Sequence, residues 1–156
     1  VWRALEDAYD AGKLRAIGVS NFLRDDLESL LPHCRVKPAV NQVLAHIGNT
    51  PKELISFCAE NGIAVEAYSP IAHGEALKSP AITETAKKYG VSPAQLCIRY
   101  ILQLGLIALP KASLREHIKE NGELDFVISD ADMKALGAVE FKNYGEYSYF
   151  PVFSGK

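Results

Sequence analysis

Amide and hydroxyl side chains follow or interrupt two apolar runs in the first third of this chain. Ser20 and Asn21 come directly after the run AIGV, and Asn41 and Gln42 are the polar residues inside the run AVNQV. Asn and Gln side chains donate and accept hydrogen bonds at the same time, which suits an uncharged amide or carbonyl group. The pattern therefore predicts a site for a neutral polar group.

An aromatic ring and a lysine stand at the ends of two later apolar runs. Tyr68 and Ser69 end the run IAVEAYS, and a tyrosine ring can stack on a flat heterocycle. Lys111 and Ser113 follow the run LIALP at the predicted start of a helix, where unpaired N–H groups and the helix dipole favour a phosphate. These residues add a flat ring and a phosphate to the predicted ligand.

Alternating helices and strands must position these side chains. Apolar runs bounded by turn residues predict strands at 16–19, 39–43, 63–69 and 106–110. Helical patterns predict helices at 2–11, 24–31, 50–60, 80–88 and 93–104, with capping sequences at Thr50–Glu53, Ser92–Gln95, Ser113–Glu116 and Ser129–Asp132. This alternation indicates a parallel α/β sheet, in which ligands bind beyond the carboxyl ends of the strands.

Each of these residues also has an ordinary structural interpretation. A Ser-Asn pair after a strand is most often a helix cap, and Asn41 and Gln42 could be buried amides satisfied by neighbouring backbone. Tyr68 could be a core residue and Lys111 a solvated surface residue. What favours a binding site is the convergence of the whole set on one end of the predicted sheet.

Composition excludes several classes of function. The 156 residues, 48% hydrophobic and 23% charged, predict a single domain over 1–156 with a sizeable core. The net charge of −2 predicts no binding to nucleic acid or membranes. Cys34, Cys58 and Cys97 lack the spacing of a metal site and are interpreted as reduced thiols in a cytoplasmic protein. Because the chain begins at Val1 within a helical pattern, we expect it to be a piece of a longer protein.

Seven motifs occur in order along nearly the whole chain. They are WRALE…GKLRAIGVSNF (2–22), PAVNQV (38–43), GIAVEAYSP (62–70), SPAQ…IRYILQ (92–103), LPKAS (109–113), EN (120–121) and DFVISDADMKAL (125–136). Together they resemble the C-terminal half of an aldo-keto reductase, and GVSNF with AYSP and LPK is a specific combination. The resemblance implies a parallel (β/α) half-barrel, the last four units of a TIM-type (β/α)8 barrel, with an irregular aromatic tail from about residue 141.

The resemblance also implies which residues hold a nicotinamide dinucleotide, NADP or NAD. The nicotinamide carboxamide would be held by Ser20, Asn21 and Gln42, the ring by Tyr68, and the pyrophosphate by Ser69 and the loop from Pro70 to Gly74. No metal is implied.

The adenosine end departs from the family pattern. Lys111 would face the 2′-phosphate, and Glu120 and Asn121 would meet the adenine. The serine that usually follows the lysine is displaced to Ser113, and His117 stands where the family commonly has a phosphate-clamping arginine. These departures leave the preference between NADP and NAD open.

The resemblance implies NAD(P)H-dependent reduction of an aldehyde or ketone to an alcohol by the complete protein. The family's catalytic Asp, Tyr, Lys and His belong to the first half of the barrel and have no counterpart in this chain, so we expect the chain alone to be inactive. A noncatalytic nucleotide-sensing or partner-binding half-barrel is an alternative, as is a structural fragment without a ligand. The first and last strands would be the edges of a half-barrel, so we expect possible self-association through them.

Overall fold

Helices and strands alternate along the chain as the sequence predicts. The computed structural model describes residues 1–140 and Tyr144. The strands are β1 (Val19–Ser20), β2 (Val40–Leu44), β3 (Ala64–Tyr68) and β4 (Ile107–Leu109). The helices are α1 (Trp2–Asp10), α2 (Arg24–Leu30), α3 (Lys52–Glu60), α4 (Pro80–Tyr89), α5 (Pro93–Gln103), α6 (Arg115–Glu120) and α7 (Asp130–Leu136). Apart from Tyr144, the predicted aromatic tail lies outside the described residues.

The four strands form one sheet in the order β1-β2-β3-β4. β1 and β2 run parallel, with Val19 opposite Asn41 and Ser20 opposite Gln42. Helices lie between successive strands, which is the kind of connection that parallel neighbours need. The predicted parallel α/β fold is therefore confirmed.

The regular part of β1 is later and shorter than the predicted strand at 16–19. Pairing begins before the strand, because Ala39 N donates to Ile17 O at 2.8 Å. A Cβ at Gly18 would lie 2.5 Å from Val40 Cγ2 and 2.8 Å from Val40 O. The chain can approach β2 this closely because position 18 has no side chain.

The chain divides into two compact units, residues 1–43 with 51–66, and residues 44–50 with those from 67 onward. In the first unit, Glu6 of α1 is 1% exposed and accepts the N–H groups of Arg35 at 2.5 Å and Val36 at 2.9 Å. The Val36 N–H is the largest cause that lowers the pKa of Glu6, and the Arg35 guanidinium adds to it. A buried carboxylate therefore ties α1 to the loop before β2. The prediction of a single domain stays a prediction.

The second unit contains a cluster of polar contacts between α4 and α7. Asp132 of α7 accepts hydrogen bonds from Lys88 Nζ at 2.6 Å, from the Tyr89 hydroxyl and from Ser129 Oγ at 2.9 Å. These donors, with Lys88 first, lower the pKa of Asp132 to about 2. The same unit buries Tyr100, which lies on α5. The Asp132 cluster fixes the start of α7 against the end of α4.

Two of the four predicted caps form, at Ser92 and Ser129, and those at Thr50 and Ser113 do not. Ser92 Oγ accepts from Gln95 N at 3.2 Å, and Ser129 Oγ accepts from Asp132 N at 3.2 Å. Thr50 instead donates to His46 O at 3.2 Å, and α3 begins at Lys52 without a side-chain cap. The Thr50 hydroxyl also lies 3.0 Å from the Tyr100 hydroxyl, so a local carbonyl and a distant hydroxyl replace the predicted cap.

Three short 3-10 turns were not predicted from the sequence. They lie at Leu31–His33, Ala72–Gly74 and Ala76–Lys78. Among the described residues, no helix is both long enough and apolar enough to cross a lipid bilayer.

Candidate functional site

The end of β1 is hydrogen-bonded to a single carbonyl of β2. Ser20 Oγ donates to Gln42 O at 3.0 Å, and Asn21 N donates to the same oxygen at 2.9 Å. Asn21 has a φ of 55°, a left-handed conformation that asparagine tolerates better than most residues. Ser20 and Asn21 are both exposed, so a ligand can reach them.

The helix-cap interpretation of the Ser-Asn pair is wrong. α2 begins at Arg24, two residues beyond Phe22, and Leu23 occupies the N-cap position. The Leu23 N–H is satisfied by Asp26 Oδ2 at 2.9 Å, inside the first turn. Because Leu23 stands at the N-cap, neither Ser20 nor Asn21 occupies the capping position of α2.

Asn41 anchors the loop that follows β1. Its side chain is fully buried, and Nδ2 donates to Phe22 O at 2.8 Å. The interpretation of Asn41 as a buried amide satisfied by backbone is therefore confirmed for its donor group. This bond fixes the position of the chain just beyond Ser20 and Asn21.

Gln42 has a side-chain partner that sequence reasoning missed. Gln42 Nε2 donates to Glu66 Oε2 at 2.8 Å, and both residues are half-buried. The signal was present in the sequence, since Glu66 is the charged residue inside the apolar run IAVEAYS. We call Ser20, Asn21, Gln42 and Glu66 the amide cluster.

The loop after β3 is rich in left-handed residues. Ser69, Ala72 and His73 have φ values of 52°, 48° and 53°. Such a conformation costs on the order of 1 kcal/mol for each non-glycine residue and is concentrated at functional sites. Ser69 Oγ lies 3.2 Å from His73 Nε2 across this loop. Tyr68 is half-buried, so it is not the core residue that one interpretation predicts, and Pro70 is buried.

The segment 111–121 lies mostly in solvent. Its predicted site residues are exposed in four cases, Lys111, Ser113, His117 and Glu120, and half-buried in the fifth, Asn121. The predicted helix start at Ser113 is wrong, because α6 begins at Arg115 with Leu114 at the N-cap and no side-chain cap. The six residues of α6 end against α5, where Gln95 Nε2 donates to Glu120 O at 3.2 Å.

Cys58, Cys97 and His46 are buried, and burial shifts the pKa of each. Burial raises the pKa of Cys97 to about 12 and raises the pKa of Cys58, which keeps both as unreactive thiols. Burial lowers the pKa of His46, whose Nδ1 lies 2.7 Å from Ile47 O and whose ring meets the edge of Tyr144. Within the part of the chain that the structure describes, no group of His, Cys, Asp or Glu side chains could hold a metal ion.

Comparison with known proteins identifies relatives over most of the chain. The model of the Aldo/keto reductase family matches residues 1–140. Glyoxal reductase of Bacillus subtilis (strain 168) is 46% identical over 140 residues, which are 88% of this chain and 50% of the relative. An uncharacterized oxidoreductase, YtbE, of the same organism is 42% identical over 139 residues, again 88% of this chain and 50% of the relative. The chain spans about half the length of the curated relatives it matches.

Solved structures give the same result. The aldose reductase of Schistosoma japonicum matches with a TM-score of 0.87 and 33% identity, over 99% of this chain and 50% of that one. An aldo-keto reductase complexed with NADPH matches with a TM-score of 0.85 and 31% identity, over 97% of this chain and 49% of that one. The four-stranded parallel sheet therefore corresponds to about half of an aldo-keto reductase barrel. This chain belongs to the aldo/keto reductase family.

Proposed function

We propose that the complete protein reduces an aldehyde or ketone to an alcohol with NADPH or NADH, and that this chain supplies the cofactor side of its active site. The observation that carries the proposal is the amide cluster, in which side chains from two strands and a strand end are held by hydrogen bonds. One relative is named glyoxal reductase and one structural neighbour binds NADPH, which supports both the reaction and the cofactor.

The donors and acceptors of the amide cluster fit a nicotinamide carboxamide. The Ser20 hydroxyl proton is directed to Gln42 O, and Gln42 Nε2 is directed to Glu66. Lone pairs on Ser20 Oγ and Gln42 Oε1 are therefore available to the two N–H bonds of a carboxamide. Asn21 carries an amide that can accept from the carboxamide nitrogen or donate to its oxygen.

The end of β3 and the loop after it are proposed to contact the nicotinamide ring and the pyrophosphate of the dinucleotide. We infer that Tyr68 stacks on the nicotinamide ring and that Ser69 and Pro70 lie along the pyrophosphate. The cluster of left-handed residues at Ser69, Ala72 and His73 supports this, since strained backbone is retained where a ligand needs it.

The segment 111–121 would hold the adenosine end. Lys111 and Ser113 would face the 2′-phosphate, with His117 in place of the family's arginine, while Glu120 and Asn121 would meet the adenine. The exposure of this segment leaves these side chains accessible to a ligand.

When bound, the dinucleotide supplies the hydride. The residues of this chain orient the nicotinamide, because the amide cluster fixes the carboxamide and thereby the face of the ring. The acid that protonates the carbonyl oxygen belongs to the family's first half-barrel, outside this chain. Because the cofactor site and the proton donor lie in different halves of the barrel, both halves are needed for turnover.

Ligand titration of the full-length protein tests which residues bind the nicotinamide end of the dinucleotide and which bind its adenosine end. Gln42→Ala is expected to weaken NADP⁺ and NAD⁺ about tenfold, through the loss of hydrogen bonds to the carboxamide, and to leave 2′-phospho-ADP-ribose unchanged. Lys111→Ala is expected to weaken NADP⁺ and 2′-phospho-ADP-ribose and to spare NAD⁺. Lys119→Ala is the matched control, since Lys119 is an exposed lysine of α6 that pairs with Glu123. Equal losses for all ligands in both variants would contradict the assignment.

Activity measurements separate the reductase from the nucleotide-sensing alternative. The chain alone is expected to consume no NADPH with an aldehyde above a heat-killed control, and the full-length protein is expected to reduce the aldehyde. Binding of NADPH by a full-length protein that reduces no carbonyl would favour a sensing module instead.

We also propose that residues 1–156 act as a single domain of a cytoplasmic protein. Three free cysteines, two of them buried, are consistent with a reducing compartment.

A further inference from the structure

Glu66 is the member of the amide cluster that is not itself proposed to contact the dinucleotide. It occupies the middle of β3 and is half-buried. Its Oε2 accepts the Gln42 Nε2 hydrogen bond at 2.8 Å. A carboxylate inside an otherwise apolar strand is expensive unless a partner needs it, so the pairing calls for an explanation.

The chemistry of this pair fixes which way the Gln42 amide faces. An amide has a donor end and an acceptor end, and an ionised carboxylate can only accept. Nε2 must therefore face Glu66, and Oε1 must face away from it. Without Glu66 the amide could turn over and present its N–H groups to the ligand instead.

The hydroxyl of Ser20, like the amide of Gln42, turns its acceptor side toward the proposed ligand. Ser20 Oγ gives its proton to Gln42 O at 3.0 Å, and Asn21 N shares that oxygen at 2.9 Å. The Ser20 hydroxyl therefore presents lone pairs, as Gln42 Oε1 does. Two acceptors beside a negative charge favour a group that donates two N–H bonds and disfavour a carboxylate.

We propose that Glu66 is a positioning residue that makes the site selective for a nicotinamide carboxamide over the nicotinic acid carboxylate of a deamidated dinucleotide. Glu66 acts through Gln42, whose amide it orients, and through its charge, which repels a second carboxylate. This inference rests on the proposed function, because it requires that the amide cluster receive the carboxamide.

The test is an equilibrium titration of the full-length protein with NADP⁺ and with its deamidated analogue, nicotinic acid adenine dinucleotide phosphate. The wild-type protein is expected to prefer NADP⁺. In Glu66→Gln, a neutral side chain of the same shape can donate or accept, so Gln42 can turn over and the preference is expected to fall about tenfold. Glu53→Gln, an exposed glutamate of α3, removes the same charge and is expected to leave the preference unchanged.

An exchange of the two side chains separates orientation from packing. In the double variant Gln42→Glu with Glu66→Gln, the amide at position 66 donates to the carboxylate at position 42, which again presents an acceptor to the ligand. A regained preference for NADP⁺ over the level of Glu66→Gln supports the proposal. The single variant Gln42→Glu measures the direct effect of a carboxylate at position 42, and a rescue no larger than that effect would overturn the orienting role of Glu66.

Binding of 2′-phospho-ADP-ribose, which lacks the nicotinamide, distinguishes the two possible failures. If neither this ligand nor NADP⁺ binds the wild-type protein, the proposed function fails. If both bind and Glu66→Gln keeps the wild-type preference between NADP⁺ and its deamidated analogue, the role of Glu66 is overturned.

Discussion

The amide cluster and the segment 111–121 differ in how their side chains are held. In the amide cluster, Ser20 and Gln42 each have an assigned hydrogen-bond partner, and the nearby loop is anchored by the buried Asn41. In the segment 111–121, Lys111 and His117 extend into solvent from a short helix and the loop before it. One region is ordered before a ligand arrives, whereas the other must lose side-chain freedom on binding.

From this difference we expect the two regions to differ in how selectively they bind their parts of the dinucleotide. Pre-organised groups recognise a ligand sharply because no ordering cost is added when it binds. Exposed, flexible cations attract a phosphate but discriminate less well. We therefore expect strict recognition of the nicotinamide end and tolerant recognition of the adenosine end.

The largest expected effect is self-association of the chain alone through its edge strands, where apolar side chains are exposed to solvent. Ile107 and Leu109 of β4 are 45% and 37% exposed, and β1 and β4 are the outer strands of the sheet formed by the described residues. Leaving several hundred Å² of apolar surface in water costs on the order of 10 kcal/mol at roughly 25 cal/mol per Å². We expect the chain alone to self-associate or aggregate, as measured by multi-angle light scattering.

Lysine at both exposed positions of β4 tests whether this edge is responsible. The double variant Ile107→Lys with Leu109→Lys is expected to reduce the associated fraction, because charge on an edge strand opposes pairing. Val127→Lys changes an apolar residue that is 67% exposed and lies outside the strands, and is expected to have little effect. A monodisperse wild-type monomer of 17.1 kDa at high concentration would refute the prediction.

The next effect contrasts two glycines that lie beside these regions, Gly18 two positions before Ser20 and Gly122 directly after the segment 111–121. Gly18→Ala places a Cβ 2.5 Å from Val40 Cγ2 and 2.8 Å from Val40 O, so β1 must shift. We expect the free energy of unfolding to fall by about 1–3 kcal/mol in urea titrations of the full-length protein. Gly122→Ala places its Cβ 3.4 Å from Lys119 O, a contact that needs little or no adjustment, and we expect a change within about 0.5 kcal/mol. Equal effects at the two glycines would show that the first region is not the more tightly packed one.

A third prediction concerns the Asp132 cluster of the second unit and its response to acid. The pKa of Asp132 is lowered to about 2 from a usual value of 3.8 by Lys88, Tyr89 and Ser129. Since the folded pKa is depressed, its stabilising effect is complete above the usual value and is lost as the pH falls toward about 2.

The variant Asp132→Asn removes this titration. Its urea midpoint is expected to lie below that of the wild-type protein at neutral pH, and the difference is expected to shrink as the pH approaches about 2. Asp25→Asn, which changes an exposed carboxylate in the first turn of α2, is the control. A difference between wild type and Asp132→Asn that does not change with pH would rule out the carboxylate as its source.

The smallest expected effect tests the tolerance of the adenosine end. The resemblance places His117 where the family commonly has an arginine, and a guanidinium can grip a phosphate with two parallel bonds, which an imidazole ring cannot do. We expect weak discrimination between NADP⁺ and NAD⁺, and His117→Arg is expected to raise the preference for NADP⁺ about fivefold in binding titrations. A wild-type protein that is already strongly selective for NADP⁺, and indifferent to this change, would contradict the expected tolerance.

The alternation of helices and strands, the parallel sheet and the family could all be predicted from the amino-acid sequence. The elements depend on local patterns of apolar runs and capping residues, and the family depends on the order of short motifs along the chain. The sequence also identified Ser20, Asn21 and Gln42 as candidates, because their side-chain chemistry follows from residue type.

The partner that each polar group takes follows from the tertiary structure and not from residue type. Gln42 pairs with Glu66 across 24 positions of sequence, and the Thr50 hydroxyl contacts the Tyr100 hydroxyl 50 positions away. Asn41 likewise proved to be the anchor of a loop 19 residues away. Such pairings depend on strand register and on packing against distant elements, and a local pattern carries no information about either.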